Sequence, residues 1–376
     1  HIESSVLSGT MDYDLVAGAE NQLFAYAPEG LFANLYDVEH VDLAQPWWSR
    51  LFVENVTYDG KLFLITGDIA ITAINNMNVI YFNKELLADY KLENPYDLVR
   101  SGKWTHDTMV KMIADSGVTT DLNGDSVMDE NDQYGWLTSP LMTQGFISAY
   151  GMTVTEFGDD GDPVLTFFNA DMNEKLDILS AFLHTGDDVF MIPNGATEVT
   201  TAKLNELFTN GHALFMTQTL AEVTTLRNLE YDFGILPYPK FDENQKQYTT
   251  HVLETNTVFG VPSLVKDEAS SGLILEALAA EGYRTVIPAF YDVALTHKLT
   301  RDTESEEMLD IIREGRYFNF GHCNTAIFSS SGIVSEMFAL YATNKLQASS
   351  FESRKPGYEA NLEALIESYK SYGKKG

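Results

Sequence analysis

The sequence predicts an α/β fold divided into two compact lobes, and three observations carry that reading. At 376 residues the chain exceeds the ~250–300 at which a single hydrophobic core stops growing. Short apolar runs of strand character alternate with segments of helical spacing along its length, the mark of layered α/β architecture. No internal repeat, low-complexity stretch or Pro/Ser-rich linker divides the chain, so it is expected to cross between the lobes more than once.

The elements follow in order. Residues 14–17 read as a short strand ending at the Gly18 turn. GKLFLITGDIAI is strand-like and broken by the turn Thr66, Gly67, Asp68. Apolar residues 79–82 form a strand, after which Leu86, Leu87 and Tyr90 repeat at helical spacing. Thr105 caps the next helix, and Trp104 before it staples onto Met109. YGWLTS is a strand followed by the helix PLMTQGFISAYG. KLDILSAFLHTG is helical, and LNELFTNGHALFMTQTLAEV reads as helix, glycine turn and strand. ILPYPK ends a strand in an extended loop that its prolines enforce, and TVFGVP is another strand. A long helical run is punctuated by Gly282 and Pro288, SEEMLDIIREG is an amphipathic helix stopping at Gly315, and the chain is helical from Gly332 onward.

Composition works mainly by exclusion. With 55 Asp+Glu against 24 Lys+Arg, the net charge of -31 repels phosphate backbones and anionic membranes, which argues against nucleic acid as a partner. No apolar run reaches the ~18 residues of a membrane span, and no basic-then-apolar leader opens the chain. The one cysteine, Cys323, has no intramolecular partner for a disulfide, and its neighbour His322 is a base only by adjacency. Gly-x-Ser-x-Gly, His-Glu-x-x-His, phosphate-loop and Gly-x-Gly-x-x-Gly motifs are all absent, so no enzyme is expected.

The sharpest local motif is DLNGDSVMDEND. Asp121, Asn123, Asp125, Asp129 and Asp132 stand at positions 1, 3, 5, 9 and 12 of a calcium loop, with the Val127 carbonyl at 7. Hard oxygens at this spacing wrap one Ca²⁺ in ~7-fold coordination. Position 6, usually glycine, is Ser126, which must then adopt an unfavourable backbone angle. A structural Ca²⁺ in the second lobe is the expectation, and a solvated acidic turn the alternative.

A string of phrases in order, YDLVAG, GKLFLITGDI, VIYFNKELL, NPYDLVRSGKWT, NGHALFM, YDFGILPYPK and VIPAFYDVAL, resembles the family 1 extracellular solute-binding proteins, the group of the maltodextrin-binding proteins. The resemblance implies a two-lobed periplasmic-binding-protein (flytrap) fold. It also implies capture of a small carbohydrate between the lobes and delivery to the transmembrane permease of an ABC importer. A monomer lipid-anchored outside a Gram-positive cell is expected, with a first strand and most of a helix missing from this chain. Crossings are expected near residues 72–76, 254–258 and 319–325, giving one lobe of 1–75 with 257–320 and another of 76–256 with 321–376. Carried over by position, the sugar contacts are Gly18, Glu20, Asn76, Ser139 and Gln218. Asp68 is added as an acceptor for two hydroxyls or as a plain turn residue. Trp47, Trp48, Trp136 and Tyr238 are candidates either for stacking on sugar or for the core. The family often carries an aromatic after the 213–217 strand, where this chain has Thr219 and Leu220, a departure that weighs against maltodextrin. Two other readings are a surface polysaccharide binder without transport and a ferric-ion carrier. The second is disfavoured because Phe290 and Tyr291 stand where paired tyrosines would be.

Overall fold

A computed structural model describes residues 5, 13–167, 169–192, 197–226, 229–296, 303–324, 327 and 348–373. The larger sheet is built from five strands in the order β6-β3-β7-β2-β8. These are β2 (Asn78–Asn83), β3 (Tyr134–Thr138), β6 (Val189–Met191), β7 (Ala213–Thr219) and β8 (Phe233–Leu236). β3 runs parallel to β6 and β7, while β2 lies antiparallel between β7 and β8. Every residue of β2 and β3 is buried. Their near-continuous apolar sequences, NVIYFN and YGWLT, therefore suit a sheet covered on both faces. Trp104 takes the expected structural place: it is fully buried, its ring lies 5.7 Å from Phe215, and its Nε1 donates to the Pro237 carbonyl at 2.9 Å.

The other lobe is organised around β1 (Val16–Ala19), antiparallel to β10 (Thr257–Gly260). The strand expected at 14–17 thus sits two residues later, and Gly18 lies inside it, paired with Val258. Residues 62–66 are all buried and join β10 through a bridge from Ile65 to Phe259 and a bond from Thr66 Oγ1 to the Thr257 carbonyl at 2.9 Å. A small hairpin of β4 (Thr155–Phe157) and β5 (Pro163–Leu165), expected with the second lobe as part of 76–256, packs on this one: Phe157 stacks on Tyr58, whose hydroxyl donates to Asp162 at 2.6 Å. The helix Glu268–Glu281 continues through a π-turn, Gly282–Val286, into the helix Ile287–Thr296. Gly282 is needed there, because a Cβ would fall 2.1 Å from the Asp68 carbonyl oxygen. Gly282→Ala is expected to cost about 1–3 kcal/mol through overpacking, read as a lower midpoint in thermal or urea unfolding. An unchanged midpoint would mean that the helix does not press on this turn.

The segments that run between the lobes lie side by side. β9 (Thr250–His251) pairs in parallel with β11 (Arg316–Tyr317), Met77 bridges Val252, and Leu253 N–H donates to the Asn76 carbonyl at 3.0 Å. Two further expected lobe boundaries differ from the structure. The helix Thr303–Glu314, expected with the first lobe as part of 257–320, packs on β8. Tyr96 and Ser305 share a 2.8 Å hydroxyl bond there, and Arg100 bonds Glu304 and Glu307 at 2.8 and 2.7 Å. The helix Ala348–Ser371, expected with the second lobe in 321–376, lays its last turns on the first. Tyr369 packs 5.1 Å from Phe63, Tyr372 donates to the Phe32 carbonyl at 3.0 Å, and Ser368 bonds the Pro28 carbonyl. The expected helix between 332 and 347, and the end of the 319–325 crossing, lie outside the described residues.

Candidate ligand-binding cleft

Unpaired buried polar atoms gather at one end of the five-stranded sheet. They are Asn75 Oδ1, both amide atoms of Asn78 and of Gln144, Gln218 Nε2 and Thr250 Oγ1. The register Asn78↔Thr219 and Val79↔Gln218 sets Asn78 and Gln218 at the same end of the sheet, on opposite faces. The helix Thr72–Asn75 packs on residues 220–222 just after β7. Gln144 lies between the helix Pro140–Thr143, which packs on β7, and the helix Gly145–Ala149, which packs on β9, the strand of Thr250 that also meets β2. Each such atom without a partner costs about 1–3 kcal/mol, so a cluster of this kind calls for water or a hydroxyl-rich ligand. The place is also chemically apt, since ligands of open α/β sheets bind beyond the carboxyl ends of the strands, here those of β3 and β7.

The expected sugar contacts divide into three groups. Gln218 belongs to this polar end, and Ser139, buried after β3, makes no side-chain bond to the helix Pro140–Thr143 that it caps. Asn76 donates its amide to Thr255 Oγ1 at 3.1 Å and so links two crossings. Gly18 is half-buried on β1. Glu20 is buried in the first lobe and accepts from Asn256 Nδ2 at 2.7 Å.

For the remaining candidates the structure decides between the stated alternatives. The Trp136 ring is fully buried, with Phe146, Phe182 and Phe215 at 5.7–5.9 Å, so neither face is free to stack. Tyr238 is buried against Phe146, with its hydroxyl given to the Met142 carbonyl at 2.8 Å. Asp68 Oδ2 is engaged by Arg313 at 2.8 Å, with a side chain 1% exposed, so it is more than an ordinary turn residue, and its Oδ1 holds no partner. Trp47 and Trp48 both donate to the Glu276 carboxylate, at 3.0 and 3.1 Å; Trp48 is buried and Trp47 half-buried against Tyr283. Asn78, Gln144 and Thr250 were missed. An asparagine opening an apolar strand and a glutamine after PLMT were the available signals.

A larger cavity of about 700 Å³ lies elsewhere, between Trp48, Ser49 and Arg50 on one side and Arg313, Glu314 and Arg316 on the other. Its volume suits a ligand, and of the ten candidate sugar contacts Trp48 alone lines it. The sugar reading is therefore tied to the polar end of the sheet.

Titratable groups cluster where the crossings meet. His322 Nε2 lies 2.5 Å from Glu254 Oε1, and His251 Nε2 lies 3.6 Å from the same oxygen. Burial pushes the Glu254 carboxyl up, but the His322 hydrogen bond and charge outweigh it and hold the group at about 2. Burial works against a charged His322 as well, yet the Glu254 bond leaves its pKa raised. Desolvation drops His251 to about 4 and raises Glu20. Burial lifts the Cys323 thiol well above its usual range, which removes it as a thiolate nucleophile.

The acidic loop is wound on its own amides. Asp121 accepts from Gly124 and Ser126 N–H at 2.6 and 2.8 Å, and the buried Asp132 accepts from Leu122 and Asp129 N–H at 2.9 and 2.8 Å. Asn123 and Asp125 accept from Asp125 and Val127 N–H, at 2.9 and 2.8 Å. Ser126 has the expected left-handed backbone, with φ +65°. Among the described residues, no three of these carboxylates converge within 4.8 Å.

Two lobes, parallel crossings and an unsatisfied polar surface at the sheet end define a solute-binding protein of the flytrap class. A family model for bacterial extracellular solute-binding proteins matches residues 2–304, and the chain belongs to that family. Three solved structures share the fold. The maltose/maltodextrin-binding domain MalE from Bdellovibrio bacteriovorus, bound to maltotriose, is 16% identical with a TM-score of 0.60, over 97% of this chain and 88% of that one. The substrate-binding protein Lmo0181 from Listeria monocytogenes, in complex with cycloalternan, is 14% identical with a TM-score of 0.57, over 98% and 88%. UspC from M. tuberculosis is 14% identical with a TM-score of 0.61, over 96% and 88%. Among curated proteins, no sequence matches the chain.

Proposed function

We propose that this protein captures a neutral oligosaccharide between its lobes and hands it to the permease of an ABC importer, without chemistry of its own. The observation that carries this reading is the set of buried amides and hydroxyls without partners around Asn78, Gln144, Gln218 and Thr250. Amides both donate and accept, which matches vicinal sugar hydroxyls. Solved relatives of the same fold hold maltotriose and cycloalternan, which supports a glucan-like class. Closure follows from the ligand's greater affinity for the closed form. A thermal-shift panel of oligosaccharides, peptides and polyamines tests the substrate class. At a hundredfold excess over Kd a true ligand adds about 2.7 kcal/mol of stability. A shift with peptide or polyamine and none with any sugar would overturn the proposal.

We also propose a structural Ca²⁺ in the 121–132 loop, held by Asp121, Asn123, Asp125, the Val127 carbonyl, Asp129 and Asp132. The all-oxygen donor set fits a hard cation, and the left-handed Ser126 is the backbone geometry that such a loop requires. Excess chelator is expected to lower the melting temperature and Ca²⁺ to restore it. A melting curve indifferent to both would leave the loop as a self-capped acidic turn.

A further inference from the structure

We propose that His251, Glu254 and His322 form a binding site for a divalent transition metal of the Zn²⁺ class that fastens two of the crossing segments together. One ligand atom from each of the three side chains lies within 4.8 Å of the others. Neutral imidazole nitrogen and carboxylate oxygen form a common catalytic and structural donor set for Zn²⁺. In a tetrahedral site with bonds of ~2.0–2.1 Å, ligand atoms stand roughly 3.3 Å apart. The observed separations of 2.5 and 3.6 Å from Glu254 Oε1 bracket that value, so a bound ion requires side-chain shifts of under about 1 Å.

The second observation is His251 itself. Its side chain is 5% exposed, and its Nε2 has no hydrogen-bond partner although it points toward Glu254. A buried imidazole nitrogen without a partner is free, in the tautomer that leaves it unprotonated, to take a metal. The opposite nitrogen, Nδ1, lies 3.4 Å from Ser148 Oγ, the kind of contact that orients a metal-bound histidine from behind.

The space fits one ion and not a sugar. His251 and His322, with Glu254 bonded to His322 beside them, line a cavity of about 10 Å³ together with Glu20, Cys323 and the apolar Met152 and Val154. That is room for a single water-sized particle. A water would complete the tetrahedron. His251 and Glu254 stand at and just after β9, while His322 sits in the short helix Phe320–Cys323 just after β11. A bound ion therefore ties these two segments side by side at the base of the lobes.

The test uses the full chain stripped with chelator and then titrated with ZnCl₂ by calorimetry, with Ca²⁺ present in excess to occupy the acidic loop. One Zn²⁺ per chain is expected, and Co²⁺ in its place should give the visible absorption of a tetrahedral nitrogen and oxygen site. His251→Gln and His322→Gln should each weaken Zn²⁺ about tenfold or more and bleach the Co²⁺ bands, while Asp121→Asn leaves both unchanged. His251→Gln keeps the test open if the His322 variant does not fold, because its Nε2 holds no partner that the fold would lose. Wild-type protein that takes up no Zn²⁺, or His variants that bind it as the wild type does, would overturn the site and leave a plain His–Glu pair. No arm of the experiment involves sugar, so the proposal stands or falls apart from the proposed function.

Discussion

Trp136→Ala is expected to lower the stability of the folded protein by about 3–5 kcal/mol while leaving the affinity of the folded protein for its solute unchanged. The ring is fully buried at the centre of the larger sheet and meets three phenylalanines, Phe146, Phe182 and Phe215. Truncation removes its whole apolar area from the core and leaves a cavity that a strand buried on both faces cannot close. Urea unfolding followed by circular dichroism measures the loss, and calorimetry on the folded variant measures binding. The opposite pattern, retained stability with lost affinity, would return Trp136 to a stacking role.

Asp68→Ala is expected to be nearly as costly. The carboxylate is the counter-charge for Arg313, 2.8 Å away, and it also faces the buried Arg316. Arg316 Nη1 has no hydrogen-bond partner of its own, so removing Asp68 strands a buried cation. Breaking such a pair from one side costs about 3–5 kcal/mol. The lower end applies here, because the Arg313 side chain is 29% exposed and water relieves its share. The midpoint of urea unfolding reads the effect. A shift below about 0.5 kcal/mol, the range of ordinary surface substitutions, would show that the aspartate is a plain turn residue after all.

The alternation of strand and helix was legible because period and punctuation are local properties. The strand over Asn78–Asn83, the cap at Thr105 and the left-handed Ser126 were all readable from neighbours a few residues away. What was not legible depends on partners distant in the chain. Asp68 looked like a turn residue because its partner Arg313 lies 245 positions later. Trp136 on its strand was open to either a stacking or a core role, and this sheet is covered on both faces. The helix Thr303–Glu314 carries an amphipathic stripe, and the stripe does not say which lobe it covers; Tyr96 and Arg100 decide that by bonding it. The site divides in the same way. Gln218 was reached through strand position, whereas Asn78 and Gln144 became visible only as buried amides without partners. His251 and Glu254, three apart, were readable as a pair, but His322 joins them from 68 residues beyond Glu254.

Calorimetric titration of an oligosaccharide into wild-type protein and Gln218→Ala tests most directly whether sugar is held by the unpaired amides at the sheet end. The expected result is one sugar per wild-type chain, with affinity about tenfold weaker in the variant, the ~1.4 kcal/mol of one good hydrogen bond. Equal affinity in the two proteins, with both folded, would contradict it and move the solute away from the end of the five-stranded sheet.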